Sequence, residues 1–277
     1  MTTQTMLSPF RRAISDFEMI KHGDKVAVGL SGGKDSLALV TLFAALKKFY
    51  PEPFELFAVN IDMGLDYDEN EKETLKNYLN ELKVPLYVEK TDIGKILFDV
   101  RKEKNPCSLC SKLRRGALCS VAVSHGATKI ALGHHADDLA ETLFLSLFFE
   151  GRLSTFEPVT YLDGSEVSII RPLIYTEEKN IRAYAKDFPI LHNPCPADKH
   201  TNRQFIKELL DSVKKDIPFA KSRILTALYH PERNHLFGEA LEKLVKKGVI
   251  SENAPAYKRL LGEAQTASAK AEESENN

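Results

Sequence analysis

Apolar residues recur along most of the chain in short blocks that alternate between two spacings. Compact apolar runs bounded by turn residues predict buried strands at 25–30, 54–61, 86–88, 129–132 and 168–174. Helical spacing between them predicts helices at 36–50, 69–82, 106–124, 137–149, 177–186 and 201–214. This alternation predicts an α/β fold with a parallel five-stranded sheet flanked by helices on both faces.

The end of the chain has a different pattern. After Pro218 the spacing stays helical but is less clearly connected to the sheet, and residues 265–277 are small, polar and acidic. Such a composition buries too little apolar surface to fold. We therefore expect an α/β domain with an inserted Cys-x-x-Cys helix at 1–215, a helical C-terminal extension at 216–264 and a disordered tail at 265–277.

Composition restricts the function classes. The formal net charge of the 277 residues is -1, so any RNA site would have to be a local basic patch. No apolar run is long enough to span a bilayer, and residues 1–9 lack the apolar core of a signal peptide. We expect a cytoplasmic protein with no membrane partner, in which paired cysteines indicate metal or redox chemistry rather than disulfides.

A glycine-rich segment follows the first predicted strand. That strand ends at Leu30 and is followed by Ser31-Gly32-Gly33-Lys34-Asp35-Ser36. Glycines permit a sharp turn and close approach to a ligand, and the free N–H groups of the next helix attract an anion. The serine hydroxyls and Lys34 add donors. The segment predicts a phosphate-binding loop, although the Walker pattern is absent.

Acidic residues follow two other predicted strands. Asp62 lies just beyond the second strand, and Asp137 and Asp138 follow the fourth strand after Gly133 and His134. Ligands of parallel sheets sit at the carboxyl ends of the strands. We expect Asp62 beside the ligand, one of the later aspartates to hold magnesium or move a proton, and the other to cap the helix.

The four cysteines divide into three candidate ligands and one core residue. Cys107 and Cys110 stand one helical turn apart, where the helix N-terminus favours the thiolate, and Cys195 lies on a proline-flanked loop. These three could hold a 4Fe-4S cluster, or zinc with His192 or His200 as the fourth ligand. Spacing alone leaves both open. Cys119 lies in an apolar helical stretch and is expected to pack in the core.

Several segments together resemble one enzyme family. The 31–36 loop resembles the Ser-Gly-Gly-x-Asp-Ser pyrophosphate loop of the N-type ATP pyrophosphatases, or PP-loop enzymes. Within that superfamily, the sequence is similar to the tRNA 2-thiocytidine synthetases over roughly residues 10–236. The matching segments are Cys107-Ser108-Leu109-Cys110-Ser111-Lys112-Leu113-Arg114-Arg115-Gly116, Gly133-His134-His135-Ala136-Asp137-Asp138 with Glu141-Thr142, Ile170-Arg171-Pro172-Leu173 and Asn202-Arg203-Gln204.

The resemblance implies a Rossmann-like fold of the adenine nucleotide alpha hydrolase type and a two-stage reaction. ATP with Mg²⁺ would adenylate the C2 oxygen of an anticodon-loop cytidine of tRNA and release pyrophosphate. Sulfur delivered at a 4Fe-4S cluster would then displace AMP. A cysteine desulfurase or inorganic sulfide would donate the sulfur, and by analogy with relatives the protein could be a homodimer.

The resemblance also implies roles for individual residues. Cluster ligands would be Cys107, Cys110 and Cys195. The catalytic group would comprise these cysteines with Asp62, Arg114 and Asp138, of which Arg114 would offset charge on phosphate or sulfide. The nucleotide would be bound by Leu30, Ser31, Gly32, Gly33, Lys34, Asp35, Ser36, Asp62, Gly133, His134 and Asp137.

The match has one departure, which leaves alternatives. Asp198 stands where the family pattern has a second cysteine after Cys195. A cluster needs only the first, but the substitution keeps open a tRNA 2-thiouridine synthetase or another PP-loop sulfurtransferase. The uridine enzymes normally carry zinc-finger cysteines at both termini, which this chain lacks. A non-catalytic regulator that binds nucleotide and zinc is the third alternative.

Basic residues flank the candidate cysteines in two groups. RNA phosphates would approach the site there. The first group is Lys102, Lys104, Lys112, Arg114 and Arg115, and the second is Arg203, Lys207, Lys214, Lys215, Lys221 and Arg223.

Overall fold

The computed structural model describes residues 1–102, 106–197, 202–230, 243–249 and 251–253. The strands are β1 (Lys25–Gly29), β2 (Glu55–Asp62), β3 (Leu86–Lys90), β4 (Lys129–Ala131), β5 (Val159–Leu162) and β6 (Val167–Ile170). The helices are α1 (Thr3–Asp16), α2 (Lys34–Leu46), α3 (Glu69–Glu81), α4 (Ile93–Lys95), α5 (Pro106–Ser124), α6 (Ala136–Leu145), α7 (Glu178–Tyr184), α8 (Asn202–Asp216) and α9 (Ala220–Tyr229). Single π-helical turns extend α4 through Ile96–Val100 and α6 through Ser146–Glu150.

The sheet has six strands in the order β3-β2-β1-β4-β6-β5. The first five in this order are parallel, which confirms the α/β class and the five predicted strands. The count of five for the whole sheet is wrong, because β5 pairs antiparallel with β6. β5 has only four residues, none of them buried, and lies at the sheet edge, so its Val159–Leu162 segment was not recognised as a strand.

Apolar layers hold helices on both faces of the sheet. On one face, Leu118 and Ala122 of α5 pack in a cluster with Phe57 of β2 and Ile130 of β4. Elsewhere, α2 is apolar on nearly all sides, and its buried Phe43 meets Phe10 of α1 edge to face at 5.1 Å between ring centroids. A helix that is apolar all round is one that other elements enclose.

The strand order fixes where a ligand can bind. The chain proceeds from β1 outward through β2 to β3, and then crosses to the other side of β1 to form β4. The connections that leave β1 and β4 therefore diverge, and such a reversal opens a crevice outside the carboxyl ends of the two strands. The 31–36 loop leaves β1 at this crevice, and the segment 132–135 leaves β4 there.

The chain divides into two compact units, Met1–Lys221 and Ser222–Asn277. The sheet lies in the first unit, and the described part of the second includes most of α9. The expected extension at 216–264 is described only in part, and the expected disordered tail at 265–277 lies outside the described residues. The domain division stays a prediction. Within the described ranges, no helix combines the length and apolarity needed to cross a membrane.

Candidate active site

Hydrogen bonds made by its two serines close the phosphate loop. The backbone N of Ser31 donates to Ser36 Oγ at 3.2 Å, and Ser36 Oγ donates to the carbonyl of Gly33 at 2.9 Å. Gly33 is the N-cap of α2 and provides no side chain to cap the first N–H groups. Those N–H groups and the helix dipole are therefore directed at the crevice, where they favour an anion.

Gly32 joins this loop to the segment that carries Cys195. Its φ is +81°, a conformation that favours glycine, and a β-carbon there would lie 2.5 Å from Leu191 Cδ1. The carbonyl of Gly32 accepts a hydrogen bond from the Leu191 backbone N at 3.0 Å. The phosphate loop thus holds the start of the 191–195 segment by a backbone bond and by close packing.

Gly133 brings the end of β4 against the same loop. A β-carbon at this position would lie 3.1 Å from the Asp35 carbonyl carbon and 3.2 Å from the Ser36 backbone N. Two residues later, His135 caps α6, and its Nε2 lies 3.6 Å from Asp35 Oδ1. The two segments that the sequence marked after β1 and β4 are therefore in contact.

A cavity of about 830 Å³ lies outside the carboxyl ends of β1, β2 and β4. We call it the reaction cavity. It brings together most of the predicted site residues, and their individual roles stay predictions. From the predicted set, its wall contains Leu30, Ser31, Gly33, Lys34, Asp35, Cys107, Cys110, Arg114, His134, Asp138 and Cys195.

Two predicted aspartates have other partners. Asp62 accepts from the backbone N of Gly64 at 3.0 Å and pairs with Lys72 Nζ at 3.5 Å. Asp137 is buried, accepts from the backbone N of Glu178 at 2.7 Å and pairs with Lys221. Neither carboxylate is among the described residues that line the reaction cavity. The nucleotide-binding role of both residues and the catalytic role of Asp62 stay predictions.

Asp138 has the capping role and also faces the cavity. Its Oδ2 accepts from the backbone N of His135 at 2.9 Å, while the His135 ring accepts from the Asp138 backbone N at 3.4 Å, forming a capping box. Its Oδ1 accepts from Arg203 Nη1 at 3.2 Å. The carboxylate is thus fixed in place with one edge towards the cavity.

His134 is a neutral ring at the cavity wall. Burial lowers its pKa to about 4, so the imidazole is uncharged at pH 7. Its ring lies 4.9 Å from that of Phe156, and within the described residues its Nδ1 has no hydrogen-bond partner. The ring contributes shape and a polar edge to the wall rather than positive charge.

The three candidate ligands reach the cavity from two elements. Cys107 and Cys110 lie about one turn apart at the start of α5, and Cys195 lies on the loop before α8. Burial raises the pKa of the Cys110 thiol, and the nearby Arg114 opposes that rise only in part. For Cys110 this direction is opposite to the expected effect of the helix N-terminus. Cys119 packs against the core cluster, as expected.

The three thiols around the cavity suit a cluster. In the described part of the chain, no three His, Cys, Asp or Glu side chains stand close enough together to hold one metal ion. Zinc with His192 stays an alternative, because His192 lines the same cavity, and His200 lies outside the described residues. The thiolates that hold a cluster bind separate irons, so they stand farther apart than the ligands of one ion, and cysteine is the usual ligand type. Three thiols around one cavity match that requirement.

Comparison with known proteins gives the family. A family model for the PP-loop domain matches residues 5–213. The tRNA-cytidine(32) 2-sulfurtransferase of Marinobacter nauticus is 42% identical over 234 residues, covering 81% of this chain and 75% of that protein. The enzyme of the same name from Citrifermentans bemidjiense is 37% identical over 237 residues, covering 84% and 92%. This chain belongs to the tRNA-cytidine(32) 2-sulfurtransferase family.

The fold of this PP-loop sulfurtransferase has a solved counterpart. The U34-tRNA thiolase NcsA from Methanococcus maripaludis, determined with its [4Fe-4S] cluster, superposes with a TM-score of 0.66 at 25% identity. The superposition covers 85% of this chain and 81% of that one. The family membership and the adenine nucleotide alpha hydrolase-like fold that the resemblance implied are thereby confirmed.

Sequence reasoning missed three residues of the sulfurtransferase site. Glu178 lines the cavity and accepts from Lys34 and Lys207. Asn60 holds the phosphate loop by donating to the Leu30 carbonyl at 2.7 Å. Arg171 lines the cavity beneath Phe156, and its Nη1 donates to the Glu157 carbonyl at 2.6 Å. Arg171 stood in a matching segment, whereas no local pattern marked Glu178.

Proposed function

We propose that this protein uses ATP to replace the C2 oxygen of cytidine 32 in tRNA with sulfur. The observation that carries the proposal is that the phosphate loop and Cys107, Cys110 and Cys195 line the same cavity. The relatives at about 40% identity are named for this base and this position. One cavity can therefore bring an activated base and a sulfur source together.

The first stage is activation of the base. The cytidine C2 oxygen attacks the α-phosphorus of ATP, a P–O bond forms, and pyrophosphate leaves with the electrons of the bond that breaks. The N–H groups at the start of α2 hold the phosphates, and Lys34 with Lys207 offsets charge on the leaving group. Asp35 and Asp138 are the carboxylates at the wall that would hold Mg²⁺, which would offset negative charge on the phosphates.

The second stage is displacement of AMP. A sulfur nucleophile attacks C2, a C–S bond forms, and AMP leaves with the former C2 oxygen and the electrons of the C–O bond. Arg114, beside Cys110, offsets the negative charge of the incoming sulfur. A 4Fe-4S cluster held by Cys107, Cys110 and Cys195 would supply an iron with an open coordination position for the sulfur. A cysteine desulfurase or inorganic sulfide as donor, and a homodimer as the active form, stay predictions.

The decisive test is nucleoside analysis of tRNA by mass spectrometry. A strain that lacks this protein should lose 2-thiocytidine and keep 2-thiouridine. The wild-type chain and Cys119→Ser should restore 2-thiocytidine, and Cys195→Ser should not. Unchanged 2-thiocytidine in the deletion strain would refute the proposal, and loss of 2-thiouridine alone would favour the uridine alternative. Pyrophosphate release that requires tRNA would exclude a non-catalytic regulator.

The cluster has its own test. Protein purified without oxygen should be brown and contain iron and acid-labile sulfide. Cys195→Ser should lose most of both, whereas Cys119→Ser should keep them, because Cys119 packs in the core away from the other thiols. A colourless wild-type protein without iron would contradict this assignment.

A further inference from the structure

A second cavity, of about 410 Å³, lies between α7 and α8 on the same compact unit as the reaction cavity. Half of its twelve lining residues are basic. Its basic residues are Lys179, Arg182, Lys186, Lys207, Lys214 and Lys221. We call this feature the α7–α8 groove.

The charges of the groove are arranged in two layers. The acids at its floor, Asp137, Glu141 and Glu178, are largely buried, and each is already paired with a basic side chain. The cations at its rim, including Lys186 and Lys214, are exposed. Within the described residues, those two lysines have no carboxylate within ion-pair distance. A fourth acid, Asp211 of α8, is exposed, so the lining has six basic and four acidic residues and its net charge is positive.

Helical spacing aligns the rim. Lys179 and Arg182 are three residues apart on α7, and Lys186 follows just after the helix ends. Lys207 and Lys214 are seven residues apart on α8, which places them on one face of that helix two turns apart. The two rows stand on opposite sides of the groove. Such spacing suits a ligand with repeated negative charges along its length.

The groove adjoins the reaction cavity. Glu141, Glu178 and Lys207 line both. A polymer lying in the groove would therefore pass directly beside the site where the base reacts. None of the described residues that line the groove is aromatic, so the groove offers no surface on which a base could stack.

We propose that the α7–α8 groove binds backbone phosphates of tRNA next to the nucleotide that reacts. This inference rests on the proposed function. Lysine and arginine contacts to phosphate fix the position and direction of the strand, and they carry no sequence information. The groove thus positions the anticodon loop beside the reaction cavity, and the reaction cavity determines which base reacts.

The test measures the salt dependence of tRNA binding by the full chain. The variant is Lys186→Ala with Lys214→Ala, and the control is Lys47→Ala with Lys48→Ala. The control lysines are also exposed but lie after α2, at the opposite end of that helix from the phosphate loop. The groove variant should bind more weakly at 50 mM salt, and its log–log slope should be shallower by about 1.4–1.8, since each phosphate contact contributes about 0.7–0.9.

The outcomes separate this inference from the proposed function. The same loss is expected for tRNA with uridine at position 32, because phosphate contacts do not read the base. Unchanged tRNA affinity and slope in the groove variant would overturn the inference. An equal loss of ATP affinity would also overturn it, because Lys186 and Lys214 line the groove and not the reaction cavity. Wild-type protein that binds no tRNA would instead refute the proposed function.

Discussion

A single carboxylate organises the cations on the phosphate side of the reaction cavity. Glu178 accepts from Lys34 Nζ at 3.1 Å, Lys207 Nζ at 2.8 Å and Arg182 Nη2 at 2.9 Å, and its side chain is 12% exposed. Burial acts to raise the pKa of Glu178, but the hydrogen bond from Lys207 and the charge of Lys34 outweigh it. The net effect is a pKa far below the usual range.

Glu178→Gln should destabilise the protein at pH 7 by about 1–3 kcal/mol, because it leaves cations without their ionised partner. Glu177→Gln is the matched control. It removes a charge from the adjacent residue, whose carboxylate pairs with the exposed Lys179 at 2.9 Å. Exposed pairs of that kind contribute about 0–1 kcal/mol. Urea unfolding gives both values, and equal effects of the two substitutions would contradict the role of Glu178.

The pH dependence follows from the direction of the pKa shift. A folded pKa below the unfolded value near 4.5 gives stability that is fully present above that value and is lost as the pH falls towards the folded pKa. Below about pH 4.5 the wild type should therefore lose free energy of unfolding faster than Glu178→Gln does. Parallel curves for the two proteins from pH 6 to pH 3 would show that Glu178 is not held ionised by its partners.

Individual residues show what local sequence can and cannot predict. The 31–36 loop and the Cys107–Cys110 pair were recognisable because each pattern lies within a few consecutive residues. Glu178 was not recognisable, and neither were the partners of Asp62 and Asp137, because carboxylates bind whichever cations and N–H groups the fold brings near. Asp137, for example, pairs with Lys221, which is 84 residues away in the sequence.

The elements show a similar limit. The inner strands of the parallel sheet were predictable, because strands buried on both faces are continuous apolar runs. The edge strand β3 is largely exposed, and only its short apolar run 86–88 marked it. α1 was not predicted, since Pro9 lies inside it, although its buried Met6, Phe10 and Ile14 have helical spacing. β5 was missed because an edge strand with one partner needs no apolar run. The strands next to the phosphate loop were therefore easier to predict than α1 and the edge strand β5.

Contact between β4 and α2 is the element-scale feature on which the loop depends. Gly133→Ala places a β-carbon within 3.2 Å of the Asp35 and Ser36 backbone, and backbone cannot rotate away as a side chain can. Overpacking of this kind costs about 1–3 kcal/mol. If the phosphate loop moves to relieve this overpacking, ATP affinity should fall by about tenfold for each 1.4 kcal/mol of binding free energy that is lost.

The control for this prediction is Gly164→Ala, where a β-carbon would meet no atom within 4 Å. Calorimetric titration of both variants with ATP should show weaker binding only for Gly133→Ala. Wild-type ATP affinity in Gly133→Ala would mean that the segment after β4 moves to make room for the new β-carbon. The phosphate loop would then not depend on this contact.

At the scale of the whole molecule, the site joins parts of the chain that are far apart in sequence. The phosphate loop, the start of α5 and the 191–195 segment reach one cavity because parallel strands present their carboxyl ends on the same edge. The loop and the Cys195 segment are in addition directly joined, through the hydrogen bond and the packing between Gly32 and Leu191. A change in the phosphate loop should therefore be transmitted to Cys195, the proposed third cluster ligand.

Gly32→Ala and Gly23→Ala isolate that connection. The two glycines have nearly the same φ, +81° and +82°, so a left-handed alanine costs each about 1–2 kcal/mol. Only at Gly32 would the new β-carbon meet Leu191, whereas a β-carbon at Gly23 would meet no atom within 4 Å.

The measurement is alkylation of Cys195 in metal-free protein, followed by mass spectrometry. Alkylation should be faster in Gly32→Ala, by about fivefold for each kcal/mol by which the 191–195 segment is loosened. It should be unchanged in Gly23→Ala, and Cys119 serves as an internal reference in both. Equal rates in the two variants would mean that the 191–195 segment is held by other contacts, such as the bond from the His192 backbone N to Glu71, and not by the phosphate loop.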